Sequence, residues 1–198
     1  MWLQRFKRDI QGAVAVEFAI VVPILLLLIM AGTEFSILLT HDRKVTQVSN
    51  TVADLVAREE NVTQSLSDIF DSAALIMEPF SDDALTLELG VVSFDASGAS
   101  QVVWSWSKSA EGGGGEPWPK NGAPTDITIP SAMQISGSYL VIAKADYTYS
   151  PLFTSFFKDI FSQATLDLAD VYFLRSRQVD CVEYINNCDA YDKKNSSS

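Results

Sequence analysis

Histidine and cysteine are almost missing from this chain. Among 198 residues there is one histidine, His41, and there are two cysteines, Cys181 and Cys188. No histidine lies beyond position 41 to act as base for a serine or cysteine nucleophile, so hydrolytic catalysis has no constellation to run on. Zinc would need about four Cys or His ligands, and His41 is far along the chain from the cysteine pair. No metal and no cofactor is expected. In an oxidising compartment the two cysteines read as a small disulfide loop, with free thiols as the alternative.

Positive charge is also scarce: 14 basic residues stand against 25 acidic ones, a net charge of −11. Arg5, Lys7 and Arg8 cluster in the first dozen residues with Asp9 as the only acid, which leaves the body of the chain still more acidic. Binding to nucleic acid rests on Lys and Arg neutralising phosphates, so such a partner is excluded.

What the chain has in abundance is one long apolar run. From Ala13 to Leu39 the only charged residues are Glu17 and Glu34. As a helix, Phe18–Leu39 reaches about 33 Å, enough to cross a bilayer. Val21–Met30 is apolar on every face, unlike a buried amphipathic helix, and Pro23 is tolerated in a membrane setting. A cleaved signal peptide fits poorly, because the run is long and Gly32-Thr33-Glu34-Phe35 offers no small-residue cleavage site. The basic leader, the acidic body and the cysteines favour the N-terminus inside and the C-terminal part outside, although Arg43 and Lys44 weaken that bias.

Gly12-Ala13-Val14-Ala15-Val16-Glu17-Phe18 separates the basic leader from the apolar run. A carboxylate inside a membrane helix costs roughly 2.5–3.5 kcal/mol at its centre and less near its edge, so Glu17 should have a partner or a function. Its plain explanation is snorkelling to the cytoplasmic headgroups near Arg8. This stretch resembles the prepilin-peptidase site of type IV pilins of the Tad (Flp) subclass. Glu17-Phe18-Ala19-Ile20-Val21-Val22-Pro23, the leucine run, Gly32 and Glu34-Phe35 are similar, more closely, to TadE-like minor pilins. The resemblance covers about the first 60 residues. It implies cleavage between Gly12 and Ala13 by a prepilin peptidase, with the new Ala13 amine paired to Glu17 of a neighbouring subunit. It implies, too, association with other Tad minor pilins, the major pilin and the inner-membrane assembly platform. Major Tad pilins are very short, so the roughly 150 residues beyond the anchor point to a minor pilin or pseudopilin. Glu34 does not share a helix face with Glu17; a hydrated place at the outer headgroups accounts for it most simply.

Beyond Thr40, Val45, Val48, Val52 and Val56 keep a helical spacing, and Ser65–Met77 reads as a second helix stopped by Pro79. The period then changes to two. Leu85, Leu87 and Leu89, the turn Asp95-Ala96-Ser97-Gly98, and Val102, Trp104 and Trp106 read as a hairpin with each of these apolar trios on one face. Glu111–Pro124 reads as a loop, and Tyr139–Tyr149 and Ala164–Arg175 as two further strands, separated by Leu152, Phe153, Phe156, Phe157 and Phe161. The expected fold class is therefore α+β: a transmembrane helix, then amphipathic helices on an antiparallel sheet of about four strands. Trp104, Trp106 and Trp118 serve either the core or a partner surface. Asp95–Ala99 lacks a hydroxyl needed for a metal loop, and Gly112–Gly115 lacks the ending of a phosphate loop.

The division expected is a leader over 1–12, a transmembrane helix over 13–40, a helical region over 41–78 and a β-rich head over 79–198. The function expected is non-enzymatic: a minor pilin of a Tad-type pilus at the bacterial inner membrane, embedded in lipid through 18–39. The competing reading is a membrane-tethered binding module without leader processing; an anchored hydrolase is the weaker third.

Overall fold

The computed structural model describes residues 10–110, 112, 114–152 and 165–196. Residues 1–9, most of the stretch expected as a leader, and the phenylalanines at 153, 156, 157 and 161 lie outside the described residues. The chain forms two compact units, one of Met1–Leu39 with Ser150–Ala164, the other of Thr40–Tyr149 with Thr165–Ser198.

Helix α1 runs unbroken from Ile10 to Arg58, 49 residues, or about 74 Å at 1.5 Å per residue. In the first unit its surface is apolar except at Glu17 and Glu34, and most of its large side chains are exposed: Phe18 is 68% exposed, Leu28 64% and Phe35 60%. Leu, Ile and Val at consecutive positions leave no polar face, so no orientation of this segment can satisfy water. It is the one helix among the described residues long and apolar enough to span a membrane. Pro23 sits inside it without ending it. A proline there removes one backbone hydrogen bond, which is tolerated in a membrane helix.

In the second unit the same helix changes character. Val45, Val48, Val52 and Val56 are fully buried along one stripe, while Asp54, Arg58 and Glu59 stay at the solvent side. Asp54 bridges Arg58 one turn on and Arg177 at 2.9 Å. Helix α2, Leu66–Met77, buries Leu66, Ile69, Phe70, Ala73 and Met77 at the same helical spacing. Lys44 of α1 donates to the carbonyl of Ile76 at 2.7 Å, capping the C-terminal turn of α2, where unpaired carbonyls favour a cation.

The sheet is antiparallel and five-stranded: β1 (Leu85–Phe94), β2 (Ser100–Ser109), β3 (Gly114–Gly115), β4 (Tyr139–Tyr149) and β5 (Leu166–Leu174), in the order β3-β2-β1-β4-β5. Four strands fall where the alternation predicts them. The fifth, β3, comes from two of the four glycines in the expected loop and pairs with Ser107 and Lys108. With the long α1 these elements form an α+β fold with an N-terminal helix of transmembrane type.

One lateral row of the sheet shows what covers it. Lys108, Leu87, Ala145 and Asp170 are cross-strand partners in turn and share a face. At one end of the row the Lys108 ammonium lies 4.5 Å from the Phe70 ring centre of α2; at the other, Ser49 of α1 donates to Asp170 at 2.9 Å. Both helices therefore lie on this face, over Leu85, Leu87, Leu89 and Val91. The opposite face is covered by the long β2–β4 connection, whose Trp118 and Ile129 join Val92, Phe94, Val102, Leu140 and Ile142 in a second core.

The hairpin departs from strict alternation. Val91 pairs with Trp104 but Val92 pairs with Val102, so Val103 is an extra residue, a β-bulge. Val102 thus packs on the connection side while Trp104 and Trp106 point to the helix side, a correction to the expectation that all three share a face. Trp104 is fully buried there and donates from its indole N–H to the carbonyl of Val182 at 2.7 Å.

The C-terminal segment is tied to the end of α1. Arg177 N–H donates to Ala57, Val62 N–H to Glu183, and Glu183 N–H to Glu60. Cys181 and Cys188 are disulfide-bonded, closing a short loop around buried Val182. The final stretch, expected as a polar tail from Asp189, is instead helix α3, Asn187–Ser196. Its low apolar content hides it from a periodicity argument, yet Tyr191 is buried and hydrogen-bonded to the sheet.

Candidate functional site

The motif residues lie on the bare part of α1. Gly12 is in helical backbone, and a Cβ placed there would have no atom within 4 Å. Among the described residues nothing requires glycine at that position: neither a left-handed turn nor a close approach.

Glu17 stands in the second helical turn beyond Gly12, exposed among Val14, Val16, Phe18, Ile20 and Val21. Its neighbours three and four residues away are Ala13, Val14, Ile20 and Val21, and none carries a charge. Among the described residues no basic side chain pairs with it; Arg8, the snorkelling partner expected from sequence, lies outside them. The helix therefore presents the exposed Glu17 carboxylate on a lipid-compatible surface. Chemically it can accept a hydrogen bond or take a cation from another molecule, and it can do neither within this chain's described residues.

Glu34 behaves differently. It is half-buried, and its Oε1 accepts the backbone N–H of Leu152 at 3.0 Å. A hydrated headgroup position is thus not its whole account, since the carboxylate receives the start of the β4–β5 connection. Sequence spacing offers no hint of a contact 118 residues away.

The single histidine, 5% exposed, is stacked on Phe80 with ring centres 3.7 Å apart, with Tyr149 at 4.8 Å and Tyr147 at 5.4 Å. His41 is part of an aromatic cluster at the base of α2, a role its isolation in the sequence does not reveal. Burial, then the charges of Asp83 and Asp82, raise the Tyr147 hydroxyl above its ordinary value. Lys144 lies between Glu88 at 3.2 Å and Asp146 at 2.9 Å. Burial alone would lower its pKa, but the bond and charge of Asp146 and then of Glu88 more than offset this. Among the described residues no group of His, Cys, Asp and Glu could hold a metal.

Of the tryptophans, Trp104 and Trp118 are core and Trp106 is half-buried. Trp118 is fixed from two sides: its backbone exchanges hydrogen bonds with the Ser105 hydroxyl at 3.0 and 3.2 Å, and its ring lies against Gly90. A Cβ at Gly90 would come within 2.6 Å of that ring and of the Trp104 carbonyl oxygen. The glycine is there for close approach.

Comparison with protein families matches residues 12–54 to the family described as TadE-like protein. No curated protein and no solved structure matches the chain. The matched segment begins at Gly12, takes in the whole bare part of α1 and ends on its valine stripe, so the likeness rests on the helix and leaves the sheet without a counterpart.

Proposed function

We propose, from the TadE-like segment over residues 12–54, that this chain is a non-enzymatic minor pilin or pseudopilin that takes part in assembling a Tad-type pilus at the bacterial inner membrane. The likeness itself points to the Tad pilus system and to a membrane. The rest is our reading. Residues 1–12 form a leader that a prepilin peptidase removes after Gly12; 13–40 is the anchor; 41–78 and 79–198 form an outer helical region and head. The N-terminus faces the cytoplasm and the head the periplasm.

The observation that carries this reading is Glu17: a carboxylate on an exposed, apolar stretch of α1, with no cation for it among the described residues. Such a group is unfavourable unless another molecule supplies the charge. The Ala13 amine of an adjacent subunit, created by cleavage, has the right sign and comes from the matching depth of the same helix. Partners then follow as the peptidase, other minor pilins, the major pilin and the assembly platform. Gly12, helical and unconstrained among the described residues, supports the same reading.

N-terminal sequencing of the protein from a host that carries the peptidase tests this. A mature chain starting at Ala13 is expected, and Gly12→Asp should accumulate a form about 12 residues heavier, the length of the leader. Equal masses for wild type and variant would overturn it.

A further inference from the structure

Glu34 is the second charge in the apolar run, and the proposed function gives it no task. Its Oε1 accepts the backbone N–H of Leu152 at 3.0 Å, and its Oε2 is shielded from solvent. Both residues belong to one compact unit, in which Ser150–Ala164 accompanies the apolar part of α1. The depth of this contact follows from the helix. Between Glu17 and Glu34 the chain carries no charge, and as helix this stretch rises about 26 Å, close to the roughly 30 Å of a bilayer's hydrocarbon core. Glu34 also stops about 7 Å short of Leu39, where the apolar run ends. Whether the bilayer is centred on the charge-free stretch, on 18–39 or on 13–40, Glu34 falls in the outer half of one hydrocarbon leaflet. Leu152 is held within a glutamate side chain's length of that level.

Lipid imposes a condition on irregular backbone at such a depth: its polar groups must find partners inside the protein. A carboxylate placed there has the converse need, for a donor. Glu34 and Leu152 meet both needs with one hydrogen bond, and Pro151 has no N–H to satisfy. The Leu152 side chain is 60% exposed, in the same unit as Phe35 at 60% and Leu39 at 41%. At this depth the solvent that an exposed side chain meets is lipid, and leucine suits it. We infer that the β4–β5 connection enters the bilayer at Pro151–Leu152 and touches lipid there, with Glu34 as the residue that holds it. The chain then meets the membrane twice, through its span and through this loop. What covers Leu152 is the phospholipid leaflet from which α1 emerges, continuous with the lipid around the helix. The inference rests on α1 crossing a bilayer and is independent of leader cleavage and of pilus assembly.

The test uses the full-length chain in phosphatidylcholine nanodiscs, with one nitroxide label at a time on Leu152→Cys, Leu27→Cys or Ala96→Cys. Unreduced chain offers a single free thiol in each, because Cys181 and Cys188 are bonded to each other. Collisions with oxygen, which concentrates in hydrocarbon, are compared with those of a neutral nickel chelate, which stays in water. Oxygen should dominate at 27, in the middle of the span, and at 152; the chelate should dominate at 96, on the exposed β1–β2 turn. Added to the Leu152→Cys chain, Glu34→Gln keeps an acceptor oxygen and should leave the 152 profile as it is. Glu34→Leu removes the acceptor and should shift position 152 toward the chelate, while the same change leaves position 27 in lipid. Chelate dominance at 152 beside oxygen dominance at 27 would overturn the proposal and leave the span standing. Chelate dominance at 27 would remove the span and the proposal together. Low collision rates with both agents at 152 would mean that protein covers it, which overturns the lipid contact, and an unaltered profile in Glu34→Leu would overturn the role of Glu34.

Discussion

Helix α1 uses the same few side chains for opposite ends. Val21 in its first part is about half exposed, while Val48 in its second is fully buried, though both are valines in the same helix. What differs is the surrounding sequence. Around Val21 every face is apolar, so the surface suits lipid and offers nothing for a sheet to select. Around Val48 the apolar residues narrow to one stripe, and that stripe fixes which side packs against the sheet. The comparison teaches that hydrophobicity by itself does not define a core; its restriction to one face does.

The largest effect should come from Glu17, the one charge that the bare part of α1 carries near its start. In the proposed reading Glu17→Gln still inserts and is still cut after Gly12, yet fails to co-assemble, because the Ala13 amine is left buried without a counter-ion at about 3–5 kcal/mol. Cross-linking of the mature variant to its pilin partners, together with a pilus count, measures this. Wild-type values would reduce Glu17 to a snorkelling side chain and leave α1 as an anchor only.

Gly90→Ala probes the packed unit in the complementary way, with no charge involved. The new methyl meets a backbone oxygen and the Trp118 ring at 2.6 Å, and forcing them apart should cost about 3 kcal/mol. Urea unfolding followed by tryptophan fluorescence reports it, while insertion and cleavage after Gly12 should be untouched. If both regions suffered, their independence would be lost.

Replacing Cys181 and Cys188 together by serine should lower the stability of the second unit by about 2–3 kcal/mol on a chain-entropy estimate for so short a loop. The loss should appear first as exchange of the Val62 and Glu183 amides, which bind the C-terminal segment to the end of α1. Thiol alkylation of the unreduced wild type should label neither cysteine.

The smallest effect sharpens the comparison most directly. Val48→Ala should cost about 2 kcal/mol through lost burial and the void it leaves. Val21→Ala in detergent should stay within about 0.5 kcal/mol, as for any exposed position. Equal costs would mean that the two parts of α1 are packed alike.

Much of this was legible from residue order. The bare helix, the valine stripe, α2, the hairpin and the outer strands follow from spacing, because periods of 3.6 and 2 report a face directly. The cysteine pair was legible from compartment and proximity. Glu17 stood out because a lone acid in an apolar run is costly wherever the chain goes, and Gly12 only through the resemblance to a prepilin-peptidase site. These are local properties, determined by neighbours in sequence.

What required the tertiary structure involves partners far apart along the chain. The bulge at Val103 turns Val102 away from Trp104, and no local signal separates it from a regular strand. Trp118, in a glycine- and proline-rich loop, is a core residue only because Gly90, 28 positions earlier, leaves room for its ring. Glu34 meets Leu152, and His41 meets Phe80 and two tyrosines of β4. Helix α3 is polar enough to pass for a tail, but Tyr191 and Asp192 anchor it against Ser93, Gln101 and Tyr139. A sequence determines which faces are apolar; only closure of the chain decides which face meets which, since those contacts depend on shape and on loops whose ends the pattern does not relate.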